Sequence, residues 1–456
     1  MKTLFLTPLC LLVFHICFAQ QDSGKVTVSG IFKNNTDKNV SIVNVYEEKI
    51  FTGNIASNNE ITIPLTITPG YYTIVFAEEL GSLYLRPGFD VSVSIDMSQF
   101  DESIKFTGKG APENTFLAEK YLKTESLKAA NGLNESYDLS ENKFLEINSA
   151  LYMMKKDFLA KASSLDNQFR YMETQTIELE NCKELYDFKM MKLFASGTME
   201  NQVSEKYPDP YRGLDKENEK LLGIPIYSYL IKAYIFEKVN PVMMKDNNQD
   251  FSLIALSILD TTIKNKEIKE QVGFEIVNFG MDNSKNLDML YKTYSTNYKN
   301  ERNRKRIDEK YQAMKSVVKG KPSPDINFSD INGMKYSLED FRGQFVYIDV
   351  WATWCAPCVA EIPYLKSLGD ELKEKNIAFV SICYQDKFEN WTKMVKEKEL
   401  SGTQLFAEEG NDSFFKKYVI RRIPRFILLD KEGNIIDPDA LRPSDPKLKE
   451  HLVQLN

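Results

Sequence analysis

Cys355 and Cys358 are the residues best suited to do chemistry in this chain, two thiols spaced Cys-x-x-Cys within Trp351-Ala352-Thr353-Trp354-Cys355-Ala356-Pro357-Cys358. They follow the β-branched and aromatic run Phe345-Val346-Tyr347-Ile348-Asp349-Val350. That order reads as a strand delivering a thiol pair to the start of a helix. At this spacing the sulfurs can close a small disulfide ring within one helical turn. Free backbone N–H groups and the positive end of the helix dipole favour a thiolate on the first cysteine. A partly exposed, nucleophilic first sulfur and a more buried resolving second one is what thiol–disulfide exchange requires.

A structural zinc site can share the spacing, but it needs two more Cys or His ligands. Beyond the first twenty residues the chain holds one histidine, His451, and two further cysteines, Cys182 and Cys383, each isolated. The pair therefore reads as redox chemistry, with no metal and no cofactor. Cys182 and Cys383 read as buried packing thiols, the first on a helix and the second at the end of the core strand Ala378-Phe379-Val380-Ser381-Ile382-Cys383.

With these motifs in order, the stretch from about Lys319 onward resembles the thioredoxin superfamily, and most closely its TlpA/ResA-like branch of extracytoplasmic thiol–disulfide oxidoreductases. Asp349, six residues before Cys355, matches the buried acid beneath the thioredoxin disulfide. Pro363 matches the proline that kinks the first active-site helix, and Ile423-Pro424 the cis-proline loop. Glu361 matches a glutamate of the TlpA/ResA branch, and a helical pattern at 388–399 followed by a short strand at 403–407 matches the insertion that branch carries. The resemblance covers the last third of the chain and is silent on the rest.

It implies an α/β thioredoxin-like fold with an inserted helix and strand. Cys355 is then the attacking thiolate and Cys358 the resolving one. Asp349, buried beneath the pair, takes the proton from Cys358 through water. Glu361, three residues after Cys358 and on the same helical face, raises the thiol pKa values and makes the pair reducing. A cis Pro424 leaves the Ile423 backbone to pair with a client strand, and Trp354 packs against the disulfide and shapes the recognition surface. Plainer readings stand beside these. Asp349 can be a hydrated strand-end acid and Glu361 an exposed helix carboxylate. Arg421, Arg422 and Arg425, around Pro424, either draw acidic clients or are ordinary exposed cations.

A chain of 456 residues suggests about three domains. At 43% apolar and 27% charged the chain is globular rather than disordered or membrane-embedded, and a net charge of −7 argues against a nucleic-acid partner. Residues 1–19 read as a cleaved secretory signal: Met1-Lys2, an apolar run broken by Pro8 and His15, then Cys17-Phe18-Ala19 before Gln20. The alternative is an uncleaved anchor, for which the run is short. Leu9 before Cys10 and Ile16 before Cys17 do not suit a lipid-anchor site. The expected location is the periplasm or cell envelope.

Residues 20–110 alternate polar and apolar in runs such as Lys25-Val26-Thr27-Val28 and Asp90-Val91-Ser92-Val93, punctuated by Asn34-Asn35, Pro69-Gly70 and Pro87-Gly88. This predicts an antiparallel β-sandwich, like the β-domain that precedes thioredoxin modules in similar secreted proteins. Over 111–316 the period becomes helical, with Phe144, Ile147, Leu151, Met154 and Phe158 forming one stripe. Such a Met- and Tyr-rich region can line a peptide groove, though helical core is the default use. Lys319-Gly320-Lys321-Pro322-Ser323-Pro324 reads as an extended tether, which places the redox domain at 317–456.

The function expected is reduction of disulfides in client proteins, with a membrane thiol relay, implied by the resemblance, as electron donor. An oxidant or isomerase uses the same chemistry, and Ala356-Pro357 between the cysteines does not decide direction. A peroxidase is disfavoured, since Ala352 stands where peroxide-reducing relatives carry a threonine. A protein of another class, whose N-terminal domains capture a partner and whose redox module is accessory, is the remaining alternative.

Overall fold

The computed structural model describes residues 23–35, 38–76, 79–132, 139–196, 202–246, 248–284, 286–408 and 413–455. The expected signal at 1–19 lies outside them. The chain divides into two compact units, Met1–Gly280 and Met281–Asn456.

The first unit opens with β1 (Gly24–Lys33), β2 (Asn39–Asn44), β3 (Lys49–Asn54), β4 (Glu60–Ile67), β5 (Gly70–Phe76), β6 (Glu79–Leu85), β7 (Asp90–Asp96) and, after the short α1 (Phe100–Ser103), β8 (Lys105–Lys109). Two four-stranded sheets result, in the orders β4-β1-β7-β8 and β3-β2-β5-β6. Period-two alternation sends Val26, Val28 and Phe32 of β1 inward, opposite Ile42, Ile74 and Phe76 of the second sheet. All pairings are antiparallel except β1–β7, which is parallel because the chain visits the other sheet before returning as β7.

Helices α2 (Ala111–Ala130), α3 (Glu141–Lys161), α4 (Asn167–Ser196), α5 (Pro225–Lys245), α6 (Phe251–Thr262) and α7 (Lys266–Gly280) complete this unit. Here β-sandwich and helices share one core: Phe116, Leu117, Leu159, Phe169 and Ile177 join the strand residues. The fully buried Asn114 at the start of α2 accepts from Tyr84 N at 2.8 Å and donates to Tyr84 O at 3.0 Å. It thereby satisfies the edge strand β6 as a neighbouring strand would. Of the predicted stripe, Phe144, Ile147 and Leu151 are buried in α3 and Met154 and Phe158 half-buried. No helix among the described residues is long and apolar enough to cross a membrane.

The second unit begins with α8 (Leu287–Asn297) and α9 (Glu301–Ser316), so these two helices belong with the redox fold and not with the helical region expected to run to 316. Then follow β9 (Phe328–Ser329), β10 (Lys335–Tyr336), β11 (Phe345–Trp351), α10 (Ala356–Glu371), β12 (Ile377–Cys383), α11 (Phe388–Glu397), β13 (Thr403–Phe406), α12 (Ser413–Lys417), β14 (Arg425–Leu429), β15 (Ile435–Asp437) and α13 (Pro446–Val453). They build a seven-stranded sheet in the order β10-β9-β13-β12-β11-β14-β15. The central strand β11 is buried throughout, parallel to β12 and antiparallel to β14. Val346, Ile348 and Val350 face one core, while Tyr347 packs in another with Leu368, Phe426 and Leu448. Each aliphatic side chain so buried contributes about 1.5–3 kcal/mol.

The expected tether is no free linker. Gly320 N donates to Ile435 O at 2.7 Å, Ile435 N to Lys321 O at 2.8 Å and Ser323 N to Gly433 O at 3.0 Å. Ser323 Oγ meets the Tyr418 hydroxyl at 2.7 Å. Prolines 322 and 324 keep the segment extended, as their fixed φ requires, but the β14–β15 hairpin supplies partners that a sequence reading does not reveal.

Candidate active site

Strand β11 ends at Trp351, a turn spans Ala352 to Trp354, and Cys355 caps the N-terminus of α10. Pro357 sits in the first turn, where a missing N–H leaves no helical hydrogen bond unmade. Cys355 and Cys358 are joined in a disulfide with Cα atoms 5.2 Å apart, and Cys358 N donates to Cys355 Sγ at 3.2 Å. That backbone donor at a helix start is the feature that would stabilise a Cys355 thiolate once the bond is reduced.

The expected contrast between an exposed first sulfur and a buried second one is absent from this disulfide form. Cys355 is 4% exposed and Cys358 3%. Both pack with Trp351 and Ala352, and Ile362 and Ile423 border the cluster. Trp354 is 61% exposed, with its indole N–H donating to Gln385 O at 2.8 Å, and Trp351 is the buried aromatic residue that packs with the cysteines.

Asp349 stands in β11 opposite Ser381 of β12 and Phe426 of β14. Its carboxyl is pushed up to about 7. Burial is the main cause, a hydrogen bond from Ser381 pulls back, and the nearby Glu361 charge adds to the rise. Glu361 is likewise buried, on α10, and is no exposed helix carboxylate. Ser444 N donates to its Oε2 and Ser444 Oγ to its Oε1, both at 2.9 Å, and Arg442 Nη1 lies 3.9 Å from Oε1.

The Ile423–Pro424 peptide is cis, and Ile423 packs against the cysteine cluster. Arg425 donates through Nε and Nη2 to Pro438 O at 3.0 and 2.8 Å and pairs with Asp439 at 3.4 Å, so it belongs to the scaffold. Arg421 and Arg422 are exposed. Cys383 is buried at the end of β12 in the same cluster as the redox pair, unbonded to either, with its thiol pushed up by burial. Cys182 is buried on α4.

Four participants carry no motif. The Thr353 N–H donates to Asp386 Oδ2, and Cys383 Sγ lies 3.7 Å from the same oxygen, so the loop after β12 braces the turn before Cys355. Ser381 reaches Asp349, Ser444 holds Glu361, and Tyr347 donates to Leu441 O at 2.7 Å. Only the alternation of β11 hints at one of them, since Tyr347 and Asp349 are two apart on one face.

With this geometry, comparisons with known proteins are specific. Residues 318–450 match the Redoxin family model. ResA of Bacillus thuringiensis, a thiol–disulfide oxidoreductase, is 29% identical over 136 residues, 30% of this chain and 78% of that protein. The thioredoxin-like protein YneN of Bacillus subtilis is 28% identical over 123 residues, 26% of this chain and 71% of that protein. A solved thiol–disulfide oxidoreductase from Bacteroides fragilis is 32% identical, with 29% of this chain and 99% of that one covered and a TM-score of 0.27. The C-terminal third is a redoxin domain with a thioredoxin-like fold. Within that class it is a thiol–disulfide oxidoreductase domain of the ResA/TlpA-like kind.

Proposed function

We propose that the chain reduces disulfides of client proteins in the periplasm or cell envelope through Cys355 and Cys358. The observation that carries this reading is the pairing of a disulfide at the N-terminus of α10 with two buried carboxylates, Asp349 and Glu361, on the elements that hold it. In the reduced domain, the Cys355 thiolate attacks one sulfur of a client disulfide. A mixed disulfide forms and the other client sulfur leaves as a thiolate. Asp349 accepts the Cys358 proton through water, and the Cys358 thiolate attacks Cys355 Sγ and releases the second client thiolate. The client gains two electrons, two protons complete its thiols, and the domain is left as the disulfide seen here.

Asp349, with a carboxyl near 7, is matched to proton transfer at neutral pH. Glu361 disfavours thiolates by charge repulsion, which works against the stabilised thiolate that marks the reduced form of strong oxidants. Ile423, beside cis-Pro424, and the exposed Trp354 border the position where a client strand would lie. Re-reduction requires an external dithiol donor, for which a membrane thiol relay is the candidate.

The test is the reduction potential of the Cys355–Cys358 pair in the full chain. A value near or below about −270 mV supports a reductase, whereas one near about −120 mV makes the protein a disulfide donor. A second reading, partner capture by the N-terminal region, is favoured by a cavity of about 610 Å³ in the first unit, lined by Tyr46, Tyr71, Tyr72, Tyr171 and Met172 among others. Capture that persists after Cys355→Ser would support it.

A further inference from the structure

Glu361 does not reach its place by helix geometry alone. The loop that runs from β15 to α13 is tied at every second or third residue. Pro438 O accepts from Arg425, Ala440 N donates to Phe426 O at 2.9 Å and Leu441 O accepts from the Tyr347 hydroxyl at 2.7 Å. Asp445 N donates to Arg442 O at 2.9 Å, and Asp445 caps α13 through Lys447 N. From this braced loop Ser444 offers two donors, one to each oxygen of Glu361. Two bonds to two oxygens fix both the position and the rotation of a carboxylate, which one bond does not. Tyr347 and Asp349 occupy one face of β11, so the strand that carries the proton acceptor also anchors the loop that holds its charged neighbour.

We propose that Ser444 is a positioning residue for the redox pair: it holds the Glu361 carboxylate fixed against Asp349, so that Glu361 acts on the proton acceptor from one distance and one direction. The proposal rests on the reading of Asp349 as acceptor of the Cys358 proton. Among the described residues, the charged and titratable groups around this site are Glu361 and Cys358 of α10, Cys355 at its cap, Asp349 and Tyr347 of β11, Cys383 of β12 and the exposed Arg442 of the loop. Of these, Arg442 is the one cation, and its guanidinium stands 3.9 Å from Glu361 with 59% of its side chain in solvent. Screening there leaves Ser444 as the main restraint. Without the Ser444 hydroxyl only the backbone N–H bond to Oε2 remains, so the carboxylate turns about it towards Arg442 and water, and its repulsion of a charge on Asp349 weakens.

The experiment uses the full chain, reduced and mixed with a small aromatic disulfide, 5,5′-dithiobis(2-nitrobenzoate). Release of the second thiolate, which reports the Cys358 step, is followed in single turnover across pH. In the wild type this rate rises as Asp349 ionises. Ser444→Ala is expected to shift the midpoint to lower pH by about half a unit. Glu361→Gln should shift it in the same direction by at least as much, and Ser444→Thr, which keeps both donors, should restore the wild-type profile. Tyr347→Phe, which frees the loop at Leu441, should give a smaller shift of the same sign and serves if Ser444→Ala does not fold. A midpoint that moves in Glu361→Gln but not in Ser444→Ala or Tyr347→Phe overturns the positioning role. A profile unmoved by Glu361→Gln and by Asp349→Asn overturns the reading of Asp349 itself, and the proposal with it.

Discussion

At the scale of single residues, Asp349 is the carboxyl group of the candidate site that burial moves into the neutral range. Its carboxyl titrates near 7 in the fold, against 3.8 ordinarily, so the native protein binds this proton more tightly than the unfolded chain. Between those two values the native state holds the proton and the unfolded state does not, and stability falls as pH rises through the window. Asp349→Asn removes the charge and with it the penalty. Oxidised wild type and Asp349→Asn should differ little in stability at pH 4, and the variant should be more stable by about 2–4 kcal/mol at pH 8. Urea titrations at both pH values check this, and parallel curves would place the carboxyl in water. The cysteines give a second residue-scale prediction. Cys358→Ser should accumulate a covalent mixed disulfide with an attacked client, visible by intact mass, whereas Cys355→Ser should not, because only Cys355 lies at the helix N-terminus with a backbone donor on its sulfur.

At the scale of elements, buried polar contacts join strands and helices of the first unit alongside the apolar core they share. Lys120 of α2 pairs with Glu173 and Glu180 of α4, Lys155 of α3 reaches Glu180 at 2.8 Å, and the Tyr71 hydroxyl of β5 donates to Glu173 at 2.7 Å. Glu173 has no exposed side-chain surface. Lys120→Met therefore leaves a buried carboxylate without its cation and should cost about 3–5 kcal/mol. Adding Glu173→Gln should recover part of that loss, because the uncompensated charge is then gone. Chemical denaturation of the single and double variants measures both. In the second unit the inserted α11 and β13 lie close to where their sequence patterns put them. By contrast, the pinning of residues 320–323 to the β14–β15 hairpin is invisible in a stretch whose prolines read as a tether.

At the scale of the whole molecule, the division at Gly280/Met281 assigns α8 and α9 to the redox unit. Ile307, Asn303 and Lys310 of α9 are buried, Lys310 pairs with Asp282 at 2.8 Å, and Val317 enters the core of the sheet. Helix α9 also packs on α12, the helix that leads to the cis-proline loop. A polypeptide of residues 281–456 should fold and retain thiol–disulfide exchange. One of residues 317–456 should melt about 5–10 °C lower, having lost that packing and ion pair. Thermal melts of the two polypeptides decide it, and equal melting temperatures would make α8 and α9 dispensable to the unit.

The placement of the candidate site residues is legible in the sequence because it is carried by local order: Cys355 and Cys358 within one helical turn, Asp349 on the strand before them, Glu361 one turn after, and Ile423-Pro424 before β14. Period-two and helical stripes likewise announced the β-sandwich, the helices and the buried strand β11, since they reflect the geometry of each element alone. Ser381, Asp386, Tyr347 and Ser444 carry no such mark. Each acts on a residue 32 to 94 positions away or across a strand pair, through hydrogen bonds that exist only once the sheet and the loop around it have closed. The same holds for the burial of Cys355, the exposure of Trp354 and the unit to which α8 and α9 belong. Those depend on what packs against each group, and packing is a property of the folded chain rather than of any segment of it.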